Sequence, residues 1–130
     1  MIQTPAAYPA IPVSVDTVLL TLQGGVLHGV LLRRPVAPFE GVGALPGGYV
    51  HAGEDADARA SAARVLRDKV GLDGCYLEQL ATFSGPARDP RGWSVAIAYC
   101  ALVPCDRLPL AQAHLKLVPV SALPPLPFDH

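Results

Sequence analysis

No stretch of this chain approaches the ~18–20 consecutive apolar residues of a membrane span, and its first residues, MIQTPAAYPAIP, have neither the basic start nor the apolar run of a secretion signal. No membrane partner is expected, and the cytoplasm is the default location. Excess positive charge is missing too. Ten Lys and Arg face eleven Asp and Glu for a net charge of −1, so nothing global draws the chain to DNA or RNA, and no nucleic-acid partner is expected. Cysteine is scarce: Cys75, Cys100 and Cys105 are odd in number and lie in or beside apolar, strand-like runs, which reads as reduced thiols rather than disulfides. The gap between Cys100 and Cys105 is followed by no second Cys/His pair, which argues against zinc. Charged residues make up only 16% of the chain against 51% hydrophobic. Such a composition folds, and it leaves apolar surface over once a core is filled, an opening for a homodimer.

What is present is organised as one domain, as the length of 130 residues suggests. A Pro/Ala-rich lead-in over residues 1–12 precedes a single folded unit over 13–130. SVDTVLLTL (14–22) and VLHGVLLRR (26–34) are β-branched and aliphatic runs around Gln23-Gly24-Gly25, the pattern of a hairpin. A Pro- and Gly-bearing loop (35–43) leads to the paired Gly47-Gly48. A helix is expected over 57–70, capped by Asp55 or Asp57, stopped by Gly71, with Ala58, Ala62, Leu66 and Val70 as its buried stripe. Residues 75–85 and 93–103 read as strands joined by a polar loop (86–92), 114–120 as a short last strand, and 121–130 as a tail broken by prolines. The order of elements makes an α+β domain.

LPGG ending at Gly48, five residues, Glu54, and then Arg64-Val65-Leu66-Arg67-Asp68-Lys69-Val70-Gly71-Leu72 resemble the Nudix box. In that family's pattern Gly and Glu are separated by five residues; seven more lead to Arg-Glu, an aliphatic, any residue, Glu-Glu, any residue, Gly and an aliphatic. Here nine residues separate Glu54 from Arg64, Arg-Glu is Arg64-Val65, and Glu-Glu is Asp68-Lys69. Residues 76–99 are similar to a Nudix subgroup that includes ADP-ribose pyrophosphatases and nicotinamide-metabolism regulators. The resemblance implies a Nudix-type α/β/α sandwich around a mixed β-sheet, here without the C-terminal helix that usually covers the second face. It also implies a ligand that is a nucleoside diphosphate linked to another moiety, ADP-ribose-like, and magnesium or manganese if the site is active. In the regulators a winged-helix DNA reader follows the Nudix-like domain, and this sequence is expected to lack it.

The chemistry behind the box can be argued without the name. Cleaving a pyrophosphate concentrates negative charge on its oxygens, so a catalyst needs divalent cations, and magnesium takes hard oxygen ligands in octahedral array. On a helix, positions 65, 68 and 69 share one face. Only Asp68 brings a carboxylate there, with the Gly47 carbonyl as a second oxygen. Val65 has no lone pair, and a lysine ~4 Å from a divalent ion at an effective dielectric near 20 repels it by about 8 kcal/mol. Hydrolysis is therefore expected to be weak, through Glu54, Arg64 and Asp68, or lost. Lost hydrolysis leaves a nucleotide-binding or sensor module, or a structural subunit. In the sensor reading Lys69 replaces the cation and donates to a phosphate, Arg33, Arg34, Arg88 and Arg91 add contacts, and Trp93 stacks on a base. Glu54 and Arg64 are expected to pair across the loop–helix junction. His51 is a weaker candidate general base, and Asp89, Asp106 and Asp129 are the only late carboxylates able to assist.

Overall fold

The computed structural model describes residues 8–130. Seven strands form one mixed sheet: β1 (Val13–Gln23), β2 (Val26–Arg33), β3 (Gly43–Ala44), β4 (Gly47–Tyr49), β5 (Glu78–Gly85), β6 (Ser94–Leu102) and β7 (Leu115–Pro119). The order is β3-β2-β1-β6-β5, with β4 added to β1 and β7 to β2. The hairpin expected from Gln23-Gly24-Gly25 is present: β1 and β2 pair antiparallel with Gln23 opposite Val26, and Gly24 and Gly25 have φ of 59° and 76°. Two successive left-handed residues make the tight turn whose twist matches the flanking strands.

β1 is the spine. Val15, Thr17, Leu19 and Thr21 alternate into the core at no more than 1% exposure, and along its other edge β1 runs parallel to β6 from Val13 to Leu20. Its two halves take different partners, β2 over Leu20–Gln23 and β4 over Ser14–Asp16. The Thr17 N–H donates to the Pro46 carbonyl at 2.9 Å where the partners change. This fork brings Gly47-Gly48 over Val15-Asp16 and creates the mouth of the cleft described below.

A single long helix covers the Val15/Leu19 side. α1 (Ala58–Val65) starts at Asp57, whose side chain accepts the Ala60 N–H at 2.8 Å. Of the two aspartates open as caps, Asp57 is the one used. The helix continues as one π turn over Leu66–Val70 and stops at Gly71, φ 81°, with the Leu72 N–H returning to the Leu66 carbonyl at 3.1 Å. Ala62, Leu66 and Val70 are buried as expected, Ala58 packs against the core from its edge, and Val65 joins them at 1% exposure.

The α+β class, the mixed sheet and the loop–helix agree with the sequence reading. Strand ends shift by one to three residues, the shift being largest at residue 75, where the chain remains irregular up to Glu78. The short strands β3 and β4 come from glycine-rich sequence read as loop and turn; their pairing is imposed by β1 and β2 rather than by local propensity. Among the described residues the other helical turns are short 3₁₀ turns at Cys105–Arg107 and Val120–Ala122. Among the described residues no helix is long and apolar enough to cross a membrane. Cys75, Cys100 and Cys105 are free thiols. Of the lead-in, residues 1–7 lie outside the described residues, and 8–12 are irregular.

Candidate functional site

The loop between β4 and α1 is held by one carboxylate. Asp55 accepts Arg64 Nε at 2.9 Å and Nη2 at 3.0 Å, the Ser61 hydroxyl at 2.7 Å and the His51 N–H at 2.8 Å. Arg64 Nη2 also donates to the Tyr49 carbonyl at 2.9 Å, so the same guanidinium ties the helix to β4. Asp55 is thus the main partner of Arg64, one the sequence reading did not name, and the expected Glu54 pair stands beside it as a longer contact. Glu54 stands 3.7 Å from Arg64, is largely exposed, and contacts the His51 ring. The nine-residue spacing accounts for the difference: in the longer loop the residue after Glu54 makes the shorter contacts to Arg64. The His51 ring, which borders the cleft described below, is held by Glu54.

Four donors hold the Asp55 carboxyl well below its usual range, the Arg64 guanidinium first among them. A carboxylate depressed in the folded state adds stability that is present above its unfolded value, near 3.9, and is lost as pH falls through the folded one. Thermal unfolding of the wild type should therefore show stability falling below about pH 4, and Asp55→Asn should flatten that acid limb. At neutral pH, Asp55→Asn should lower Tm more than Glu54→Gln; equal effects would contradict the assignment of the brace.

Beside this brace lies a cleft of about 820 Å³, within the range of small-ligand sites. Val65, Asp68 and Lys69 all border it, Val65 buried and Asp68 with its side chain 57% exposed. A π turn lengthens the helical period, so residues four apart stack more closely and residues three apart diverge. Val65 and Lys69 accordingly sit together under Gly48: a Cβ built there would be 3.3 Å from Val65 Cγ2 and 3.6 Å from Lys69 Nζ. Asp68 is the more exposed of the three at the cleft's edge, 3.5 Å from Arg67. Lys69 Nζ donates to the Gly47 carbonyl, the oxygen that the sequence reading offered to a metal. Partial burial, then Arg34 and Arg64, push the Lys69 ammonium below its usual value, opposed by Asp16. A divalent ion does not fit: an ammonium holds the backbone oxygen, Val65 has no donor, and Asp68 is left as the single carboxylate of the three helix positions. No group of three or more His, Cys, Asp or Glu suited to a metal occurs among the described residues.

The arginines are brought together unevenly. Arg34, Arg88, Arg91 and the half-exposed Trp93 line the cleft, whereas Arg33 borders only a smaller groove on the far side of Lys69. Arg88 is clamped by Asp129 and by Ser94, Arg91 by Asp89 at 2.8 Å, and Arg34 Nε donates to the Pro38 carbonyl at 2.6 Å. The sequence reading missed Asp16, Phe128 and His130. The tail returns to the cleft, with the His130 ring 3.5 Å from Asp16 and its Nδ1 accepting the Leu45 N–H at 3.3 Å. Burial raises the Asp16 carboxyl and lowers the His130 ring, each partly offset by the other's charge. An aspartate inside an otherwise apolar strand run was the available signal for Asp16; none local to residues 121–130 announced that the tail would fold inward.

No protein-family model matches the chain. Over 96 residues, 74% of its length, it is 41% identical to the ADPR responsive transcriptional repressor NtrR of Acinetobacter baylyi, and over 103 residues 32% identical to an ADP-ribose pyrophosphatase of Methanocaldococcus jannaschii. It spans 38% and 60% of those two proteins. Among solved structures, the Nudix domain of Shewanella oneidensis NrtR complexed with ADP ribose superposes with a TM-score of 0.87 at 34% identity, covering 98% of this chain and 86% of that one. NrtR complexed with a 27mer DNA matches at a TM-score of 0.84 and 33% identity, over 91% of this chain and 56% of that one. The expectation that nucleic acid has no part is corrected by these relatives, a transcriptional repressor and a regulator bound to DNA. Net charge was a weak guide, because proteins that read DNA do so with a local surface that overall charge does not report.

Proposed function

Because the chain belongs to the Nudix superfamily, we propose that its cleft binds a nucleoside diphosphate linked to a second sugar, ADP-ribose or a close derivative, and holds it without hydrolysis. One observation carries the reading: Lys69 puts its ammonium on the Gly47 carbonyl, inside the cleft. A lysine there offers a diphosphate a fixed positive charge and further N–H donors. It brings no bound water to activate, and that water is what a metal would supply for hydrolysis. The relatives support the choice of ligand, two carrying ADP-ribose in their names and one bound to it.

The roles follow from position. Lys69 faces the diphosphate, the backbone of Gly47-Gly48 lets the ligand come close, and Trp93 and Tyr49, both about half exposed at the rim, supply flat surface for a base. Arg64 and Asp55 hold the loop in shape. Free thiols fit a reducing compartment such as the cytoplasm. Calorimetry with ADP-ribose in EDTA should give saturable binding, and incubation with ADP-ribose plus magnesium or manganese should release no AMP. Steady, enzyme-dependent AMP release would replace this reading with a hydrolase.

A further inference from the structure

We propose that Arg88 and Ser94 form a phosphate subsite of the cleft, held in this structure by Asp129 as an internal carboxylate, and that an incoming diphosphate displaces residues 128–130. The inference rests on the reading of the cleft as a diphosphate pocket. Its observations are independent of Lys69.

Arg88 is built as a receptor for an oxyanion. Its Nε and Nη2 each stand 2.9 Å from an oxygen of Asp129, while Nη1 donates to the Ser94 hydroxyl at 2.6 Å. A guanidinium fork of this kind takes a phosphate in the same two-point geometry as a carboxylate. The Arg88 side chain is only 9% exposed and lines the cleft, so a group entering there can exchange with the more exposed Asp129.

The neighbours of Asp129 engage the same wall. The Phe128 ring lies 4.9 Å from the Arg34 guanidinium and 5.4 Å from that of Arg91, and meets Phe39 edge-on at 5.0 Å. Phe128 takes a left-handed φ of 56°, a conformation a bulky residue adopts only when its surroundings hold it there. His130 fills the space beside Asp16. Three consecutive side chains thus occupy three of the arginines that the sequence reading assigned to ligand, together with the buried aspartate. A diphosphate brings more charge to Arg88 than one carboxylate does. The tail is attached to the chain, which gives Asp129 the advantage of high effective concentration; ligand affinity is set by the difference.

Calorimetry with two probes in EDTA, ADP-ribose and inorganic pyrophosphate, tests this on the wild type, Asp129→Asn, Arg88→Gln and the double variant. Removing the internal competitor should tighten pyrophosphate binding about tenfold in Asp129→Asn. Arg88→Gln should weaken it by at least as much, and the double variant should show no gain over Arg88→Gln alone. The imidazole NMR signal of His130, identified by its loss in His130→Asn, should move to its released position as pyrophosphate saturates. The same tightening for pyrophosphate with no ADP-ribose binding would keep the subsite and refute the nucleotide reading. Unchanged affinity for both probes in Asp129→Asn, or a His130 signal that stays put at saturation, would overturn the subsite.

Discussion

Lys69→Glu is expected to weaken metal-free ADP-ribose binding by at least about 100-fold, equivalent to about 2.7 kcal/mol, while leaving the fold intact. The size follows from what is lost and what is gained. A charge-assisted donor to phosphate contributes roughly 1.5–3 kcal/mol, and the replacement adds like-charge repulsion in a partly enclosed site. The fold should survive because the ammonium end of Lys69 lies on the cleft surface, bonded to a single carbonyl. Lys69→Met, which keeps the apolar stem, should lose less, about tenfold. Calorimetry in EDTA measures both, and a Lys69→Glu protein that binds as the wild type does would remove lysine from the site.

Gly47→Ala should be the most damaging small substitution in the chain, and Gly48→Ala should be mild. A Cβ at Gly47 would lie 2.2 Å from Asp16 Oδ1 and 2.8 Å from the Val15 carbonyl. Neither can withdraw easily, since Val15 belongs to the central strand and Asp16 is flanked by His130. β4 must then peel from β1, breaking the pairs of Gly47 with Asp16 and Gly48 with Val15. The cost should be about 3 kcal/mol or more in urea unfolding. At Gly48 the nearest atom is a Val65 methyl at 3.3 Å, a side chain able to shift, so the loss should stay near 1 kcal/mol. Gly47→Ala should also abolish ligand binding, because it moves the carbonyl on which Lys69 rests.

The contrast between these two glycines illustrates how far the sequence could be read. The paired glycines marked a sharp turn, and the aliphatic spacing from Ala58 to Val70 marked the helix, because both are local signals. Gly47 carries its constraint from Asp16, thirty-one positions earlier, and that contact exists only once β1 exchanges β2 for β4. The same holds for the carboxylate that pairs with Arg64. A motif register placed Glu54 there, and it does stand 3.7 Å from Arg64, but which of two adjacent acids hydrogen-bonds the guanidinium depends on the path of a lengthened loop, and Asp55 is the one that does. The face shared by residues 65, 68 and 69 assumed α-helical spacing; all three do border the cleft, but the π turn stacks Val65 and Lys69 under Gly48 and leaves Asp68 more exposed. The inward tail joins residues more than forty positions apart, Arg88 with Asp129 among them, and no periodicity encodes that.

Lys69 and Lys116 are the only lysines in the chain, so isotope-labelled lysine gives an NMR spectrum with two ammonium sites, one in the cleft and one on β7. The measurement is a titration with ADP-ribose in EDTA, followed at both. The account predicts that the Lys69 signal moves to saturation while Lys116 stays fixed, and that the lowered Lys69 pKa rises as phosphate charge arrives. A Lys69 signal that remains still under saturating ligand, or one that responds only after magnesium is added, would contradict it.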